Sequence, residues 1–144
     1  MLEFVVTDSR LQHVHRGVLA TELSVDLVDE TYTLLAPTDG AFARFAGTEG
    51  LFEDPERLEE CFDLFSFLLI RGAVDRPSRA YRAALTVHGE QVLLGRGEVR
   101  TRCGNARILE TVRFARGVIH LLDSVVTPSL GNSGSKTAAL SRSA

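Results

Sequence analysis

Tryptophan is missing from this 144-residue chain, and tyrosine and cysteine occur twice each. With two tyrosines and no tryptophan there is little to stack on nucleic-acid bases. A net charge of -3 gives no footprint for nucleic acid or for an anionic membrane surface. Cys61 and Cys103 form no CxxC or CxxH pair, which argues against a zinc centre. Both read as buried free thiols, although spacing alone leaves a disulfide open. No apolar run approaches the roughly 18 residues of a membrane span. The start, MLEFVVTDSR, lacks the basic stretch and apolar run of a secretory signal. As it stands the chain therefore reads as cytoplasmic, and with a leader removed it would read as extracellular or cell-surface. No GxSxG, HExxH, P-loop or GxGxxG motif occurs, and no cofactor or metal is implied.

What is present is ordinary globular material, 44% hydrophobic and 24% charged. A chain of this length buries roughly two-thirds of its unfolded surface, so it can fold without a metal or disulfide. Charge is unevenly spread. Residues 1–72 carry 5 Arg against 14 acids, whereas residues 73–144 carry 10 Arg and Lys136 against 5 acids. The reading favoured is two halves that attract each other within one fold.

The pattern divides into helices first and short strands afterwards. Asp8 can cap a helix through Leu11, Val14, Val18 and Leu19, and Leu23 to Val28 continues with mixed spacing. Tyr32 to Ala36 reads as a strand stopped by Pro37, and Thr38 or Asp39 can cap a short helix bearing Ala41, Phe42 and Phe45. Asp54, Pro55 and Glu56 form a helix start. Leu58, Cys61, Phe62, Phe65, Leu68 and Leu69 then predict a buried stripe ended by Gly72. From Leu85 the glycine-punctuated strands are Leu85–Val87, Val92–Leu94, Val99–Cys103, Ile108–Val112 and Val118 to Val126. This order predicts an α+β domain. Residues 129–144 read as a flexible tail.

Candidate chemistry is sparse. His13 and His15 point in different directions on one helix, and His88 sits in a hairpin turn and reads as surface. His120 alternates with Val118 and Leu122, so it should face inward and need partners for both ring nitrogens. Asp123 points the other way and can hold a neighbouring turn. Arg100 and Arg102 share the outer face of one strand, with Arg107 and Arg113 flanking the next. Together they read as a solvated face or an acid-binding patch.

Two segments carry a family resemblance. Thr33-Leu34-Leu35-Ala36-Pro37-Thr38-Asp39-Gly40-Ala41-Phe42 resembles the first signature box of fasciclin (FAS1) domains. Arg116-Gly117-Val118-Ile119-His120-Leu121-Leu122-Asp123, continuing to Pro128, resembles the second, and the helix after Asp54 resembles the long central helix between them. The resemblance implies a fasciclin-like α+β fold, with N-terminal helices packed on a small β-sheet wedge or meander over residues 1–128. Thr38, Asp39, His120 and Asp123 would then be structural motif residues. Many adhesion-type members carry Tyr-His at the helix end, where this chain has Ile70 and Arg71. A guanidinium does not replace an imidazole inside a core, so Arg71 should reach solvent or an acid. The function implied is a non-catalytic adhesion or interaction module that binds a protein or glycan, with Arg71, Arg100 and Arg102 as candidate contacts. The alternative is a protein repurposed inside the cell, holding a hydrophobic small molecule in an enclosed apolar pocket or catalysing a cyclase-like biosynthetic step there.

Overall fold

The computed structural model describes residues 2–21, 31–45, 50–52, 54–75 and 80–129. The expected continuation over Leu23 to Val28 lies outside the described residues, as does the expected tail beyond Ser129.

Two short helices open the chain, α1 (Leu2–Thr7) and α2 (Gln12–Ala20). Asp8 does not cap α2. Its carboxylate accepts from the backbone N–H of Arg10 at 2.8 Å and from the same guanidinium, which holds the Asp8 carboxyl below its ordinary value. The N-terminus of α2 is capped from a distance: Asp39 accepts from the N–H groups of His13 at 2.8 Å and Gln12 at 3.3 Å. Asp39 itself begins α3 (Asp39–Ala43), which Thr38 caps by accepting from Ala41 N.

Asp54 caps a 3-10 turn, Pro55–Arg57, that leads into α4 (Leu58–Phe67). The expected stripe on this helix is only partly the buried one. Cys61, Leu64 and Phe65 are buried, but Leu58 and Phe62 are 49% and 44% exposed. The helix also stops earlier than expected, because Leu69–Arg71 form strand β2 rather than its last turn. A fully buried strand reads as a continuous apolar run, as does a helix that ends in the core, so periodicity alone could not separate them. Gly17 lets α2 and α4 touch: a Cβ there would lie 2.1 Å from the Phe65 ring tip.

The seven strands among the described residues are β1 (Tyr32–Pro37), β2, β3 (Arg82–Leu85), β4 (Gln91–Gly95), β5 (Glu98–Arg100), β6 (Asn105–Phe114) and β7 (Gly117–Leu122). They run in the order β2-β1-β7-β6-β5-β4-β3. β1 and β7 are parallel, with Leu35 opposite His120, and the other neighbours are antiparallel. The two ends of this order come together at a bridge between Ile70 and Thr86, beside a 2.7 Å bond from Val87 N to Leu69 O. The sheet thus curls into a wedge around Leu34, Leu69, Leu94, Val99, Ile119 and Leu121. Two strands are shorter than their apolar runs: β5 ends at Arg100 and β7 at Leu122. Cys103 therefore lies outside the strand and is exposed, while Cys61 is buried; both are free thiols.

The charge halves are joined less simply than their signs suggest. Asp8–Arg10, Arg57–Glu60, Glu98–Arg100 and Asp75–Arg113 are pairs within one half. Arg10–Glu110, at 2.8 Å, crosses between halves with its signs opposite to the imbalance.

Candidate functional site

The first box is a structural junction in which Asp39 has three partners. Besides capping α2, its Oδ1 lies 2.7 Å from His13 Nδ1, and as a carboxylate oxygen it accepts from that ring nitrogen. The His13 ring stacks on Phe42 at 5.3 Å, and Phe42 and Phe65 are a further stacked pair at 6.4 Å. Thr38 and Asp39 thus cap two different helices and tie α2 to α3.

His120, in the second box, is fully buried. Its Nε2 lies 2.9 Å from the Val74 carbonyl oxygen, which can only accept, so Nε2 carries the proton. Nδ1 lies 2.9 Å from the Thr111 hydroxyl, which can donate to it or accept from it. Val74 is presented to it by Thr33, whose Oγ1 accepts from Val74 N at 2.7 Å and donates to Gly72 O at 2.6 Å. Asp123 accepts from Arg107 N at 2.8 Å, beside the irregularity in β6 between Ile108 and Glu110. These contacts are geometry that holds strands, with no open face toward a substrate.

The three candidate arginines lie on or beside one stripe across the sheet. Arg71 is exposed at the end of β2 and shares a groove of about 300 Å3 with Arg82 and Leu85 of β3. On the outward face Ala83 pairs with Leu93, and Leu93 pairs with Arg100. Leu85 and Leu93 are 58% and 38% exposed. The Arg100 guanidinium lies 5.1 Å from the Tyr81 ring centre, and Tyr81 donates its hydroxyl hydrogen to Glu98. Arg102 is exposed but does not share the strand face. It sits in the Thr101–Gly104 turn, where Thr101 Oγ1 accepts from the N–H groups of Cys103 and Gly104. Arg113 is held by Asp75 in a two-pronged pair at 2.6 and 2.8 Å.

A half-open cleft of about 490 Å3 lies along the side of α4 that bears Glu60, Asp63 and Leu64. Phe45, Leu51, Leu64 and Pro128 give it apolar walls; Glu60, Asp63, His88 and Cys103 are its polar and reactive groups. His88, expected at the surface, is half-buried. Its N–H donates to Ser66 O at 3.1 Å, its ring meets Phe67 edge-on at 6.2 Å, and its Nδ1 is buried without a partner. The segment after β7 closes one wall: Ser129 N donates to the Glu90 carboxylate at 2.9 Å, leaving Glu90 Oε2 buried and unpartnered. The sequence offered no pattern for this cleft, because a helix, a turn and two loops from distant positions build it. The nearest local signal was His88 beside Gly89, whose φ of +109° makes the turn tight.

Comparison with known proteins agrees with the architecture. A family model described as the fasciclin domain matches residues 9–128. Among solved structures the chain is similar to a FAS1 domain pair from the insect cell adhesion molecule fasciclin I. The TM-score is 0.62 at 16% identity, over 82% of this chain and 45% of that one. Identity that low speaks to the fold alone, and the chain spans less than half the length of that pair. No curated protein matches the sequence significantly.

Proposed function

The chain belongs to the fasciclin domain family, and from that membership we propose that it is a non-catalytic interaction module that binds a protein or glycan partner. The observation that carries this reading is the stripe from Arg71 through Leu85 and Leu93 to Arg100. Exposed leucines beside arginines, one of them over a tyrosine, are the composition of an interface rather than of an ordinary solvated face. Its basic side chains favour a partner that presents carboxylates next to apolar groups, and Arg102 extends the charge beyond the edge of β5. The similarity to an adhesion molecule supports the same class.

The test is partner capture from extracts and glycan arrays by the immobilised chain and by a Leu85→Ser, Leu93→Ser, Arg100→Ala variant. The expected result is a partner retained by the wild type and lost by the variant, with unfolding midpoints within experimental error. Retention of the same partners by the folded variant would rule out the stripe.

A second reading is favoured by one observation, the apolar cleft beside His88. In it the fold holds a hydrophobic small molecule, or shapes one for a cyclase-like biosynthetic step. The cleft is half-open rather than enclosed, which suits reversible binding more than sequestered chemistry.

A further inference from the structure

We propose that this chain associates with itself head to tail, the apolar and acidic groove between α2 and the start of α4 on one copy receiving the stripe of Leu85, Leu93 and Arg100 on the next. The inference rests on the interaction-module reading and names the partner of that stripe as a second copy.

The stripe calls for carboxylates beside apolar groups, and the chain itself carries such a surface. Ala20, the last residue of α2, lines a hollow of about 480 Å3 together with Pro55, Leu58, Phe62, Glu56 and Glu59. Leu58 and Phe62 are exposed and stand one helical turn apart on α4, so they present a single apolar ridge. Of the acids here, Glu60 already holds Arg57 at 2.8 Å. Neither Glu56 nor Glu59 has an ion pair among the described residues.

The stripe is the counterpart in both respects. Leu85 pairs with Gln91 and Ala83 with Leu93, which makes Leu85 and Leu93 diagonal neighbours on β3 and β4. Arg82 borders them at the start of β3 and has no ion pair among the described residues. Arg100 pairs with Leu93 from β5; its nearest acid, Glu98, is 3.9 Å away and already accepts from Tyr81. Two leucines flanked by guanidiniums thus match a leucine and a phenylalanine flanked by carboxylates. The wider charge agrees: residues 55–67 carry four acids against one arginine, and residues 82–114 carry six arginines against three acids. Such complementary fields steer one copy onto the next. The groove and the stripe share no residue, so the contact is heterologous, and each bound copy keeps one face free for a further copy. Both faces are small, which predicts a transient contact.

The experiment follows the weight-average mass of the full chain by sedimentation equilibrium, from about 10 μM to about 1 mM, in about 20 mM and about 300 mM salt. Two variants are run alone and mixed in equal amounts. Leu58→Ser, Glu59→Gln, Phe62→Ser spoils the groove, and Leu85→Ser, Leu93→Ser, Arg100→Ala spoils the stripe. All six positions are exposed, and unfolding midpoints check that both variants fold.

The expected result is a wild-type mass that rises with concentration, with association weakened roughly tenfold at the higher salt. Each variant alone should stay monomeric. Their mixture should form a one-to-one dimer and nothing larger, because it holds one intact groove and one intact stripe. Self-association that survives in either variant alone would mean that like faces meet, and would overturn the contact. So would a mixture that stays monomeric while the wild type associates. Association indifferent to salt would overturn the role of Arg100 and the carboxylates. A wild type that is monomeric throughout would overturn the contact but leave the interaction reading standing, since capture of a different partner by the stripe tests that reading separately.

Discussion

The helical layer and the β3–β6 meander are held together by opposite means. In the helical layer the decisive contacts join residues far apart in sequence. Asp39 caps α2 from 26 and 27 positions away, and Gly17 admits the Phe65 ring. An aromatic group of His13, Phe42, Phe52 and Phe65 fills the space between α2, α3 and α4. In the meander each strand pairs with the next through a short turn, and side chains alternate between the core and an exposed outer face. One region is thus a set of interlocking parts in which a single atom can matter. The other is a chain of local decisions whose outer face is free to vary, and that is the face on which the binding stripe lies.

The largest effect is expected where the meander joins β7. His120 joins β7 to Thr111 of β6 and to the carbonyl of Val74. His120→Ala removes a fully buried ring and leaves both partners unsatisfied, so a loss of about 4 kcal/mol in urea unfolding is expected. A loss below about 1 kcal/mol would show that these bonds do not hold β7 to the meander. Next is the helix crossing. Gly17→Val places a branched side chain where even a Cβ would be 2.1 Å from Phe65, and should cost about 3 kcal/mol with increased exposure of the aromatic group. An unchanged midpoint would mean that α2 can shift at no cost.

A pH series sharpens the same contrast without mutating the crossing. Burial is the main cause that pushes the Cys61 thiol from 9.0 up to about 11. Between those values the unfolded state releases its proton and the folded state keeps it. Stability from this group is therefore complete below pH 9 and falls as pH rises toward 11, by roughly 2 kcal/mol. Comparison with Cys61→Ala, whose decline should be shallower by that amount, isolates the thiol; parallel curves would place Cys61 in contact with water. The smallest effect is expected in the meander. Arg96 has a φ of +55° in the Arg96-Gly97 turn between β4 and β5. Asn adopts that conformation more readily, so Arg96→Asn should gain about 0.5 kcal/mol, with chemical shift changes confined to the hairpin. Shifts that reach α2 or α4 would contradict a locally determined meander.

How much could be read in advance tracks the same division. The glycine-punctuated strands of the meander were legible because alternation and turn residues are local signals, although their ends were misplaced by one residue at β4 and by up to three at β3, β5 and β6, and β3 shares only Leu85 with the expected Leu85–Val87. The two boxes identified the family for a related reason, being contiguous strings. The helical layer was read less well. Asp8 looked like the cap of α2, but its carboxylate is taken by Arg10, and the cap came from Asp39 instead. Leu58 and Phe62 looked like core and are exposed, while Leu69 to Arg71 left the helix to pair with β1. The cleft was not legible at all, since Phe45, Leu64, His88 and Pro128 share no spacing.

What the sequence by itself determined is the general order of helices before a strand meander, the meander's turns and the fasciclin family, because each is written in neighbouring residues or in unbroken motifs. What only the tertiary structure decided is which polar group serves which partner and where an apolar hollow is left open. A carboxylate takes the nearest unpaired donors in space, and an imidazole nitrogen is satisfied or orphaned by whatever packs against it. Both outcomes depend on how distant segments close on one another.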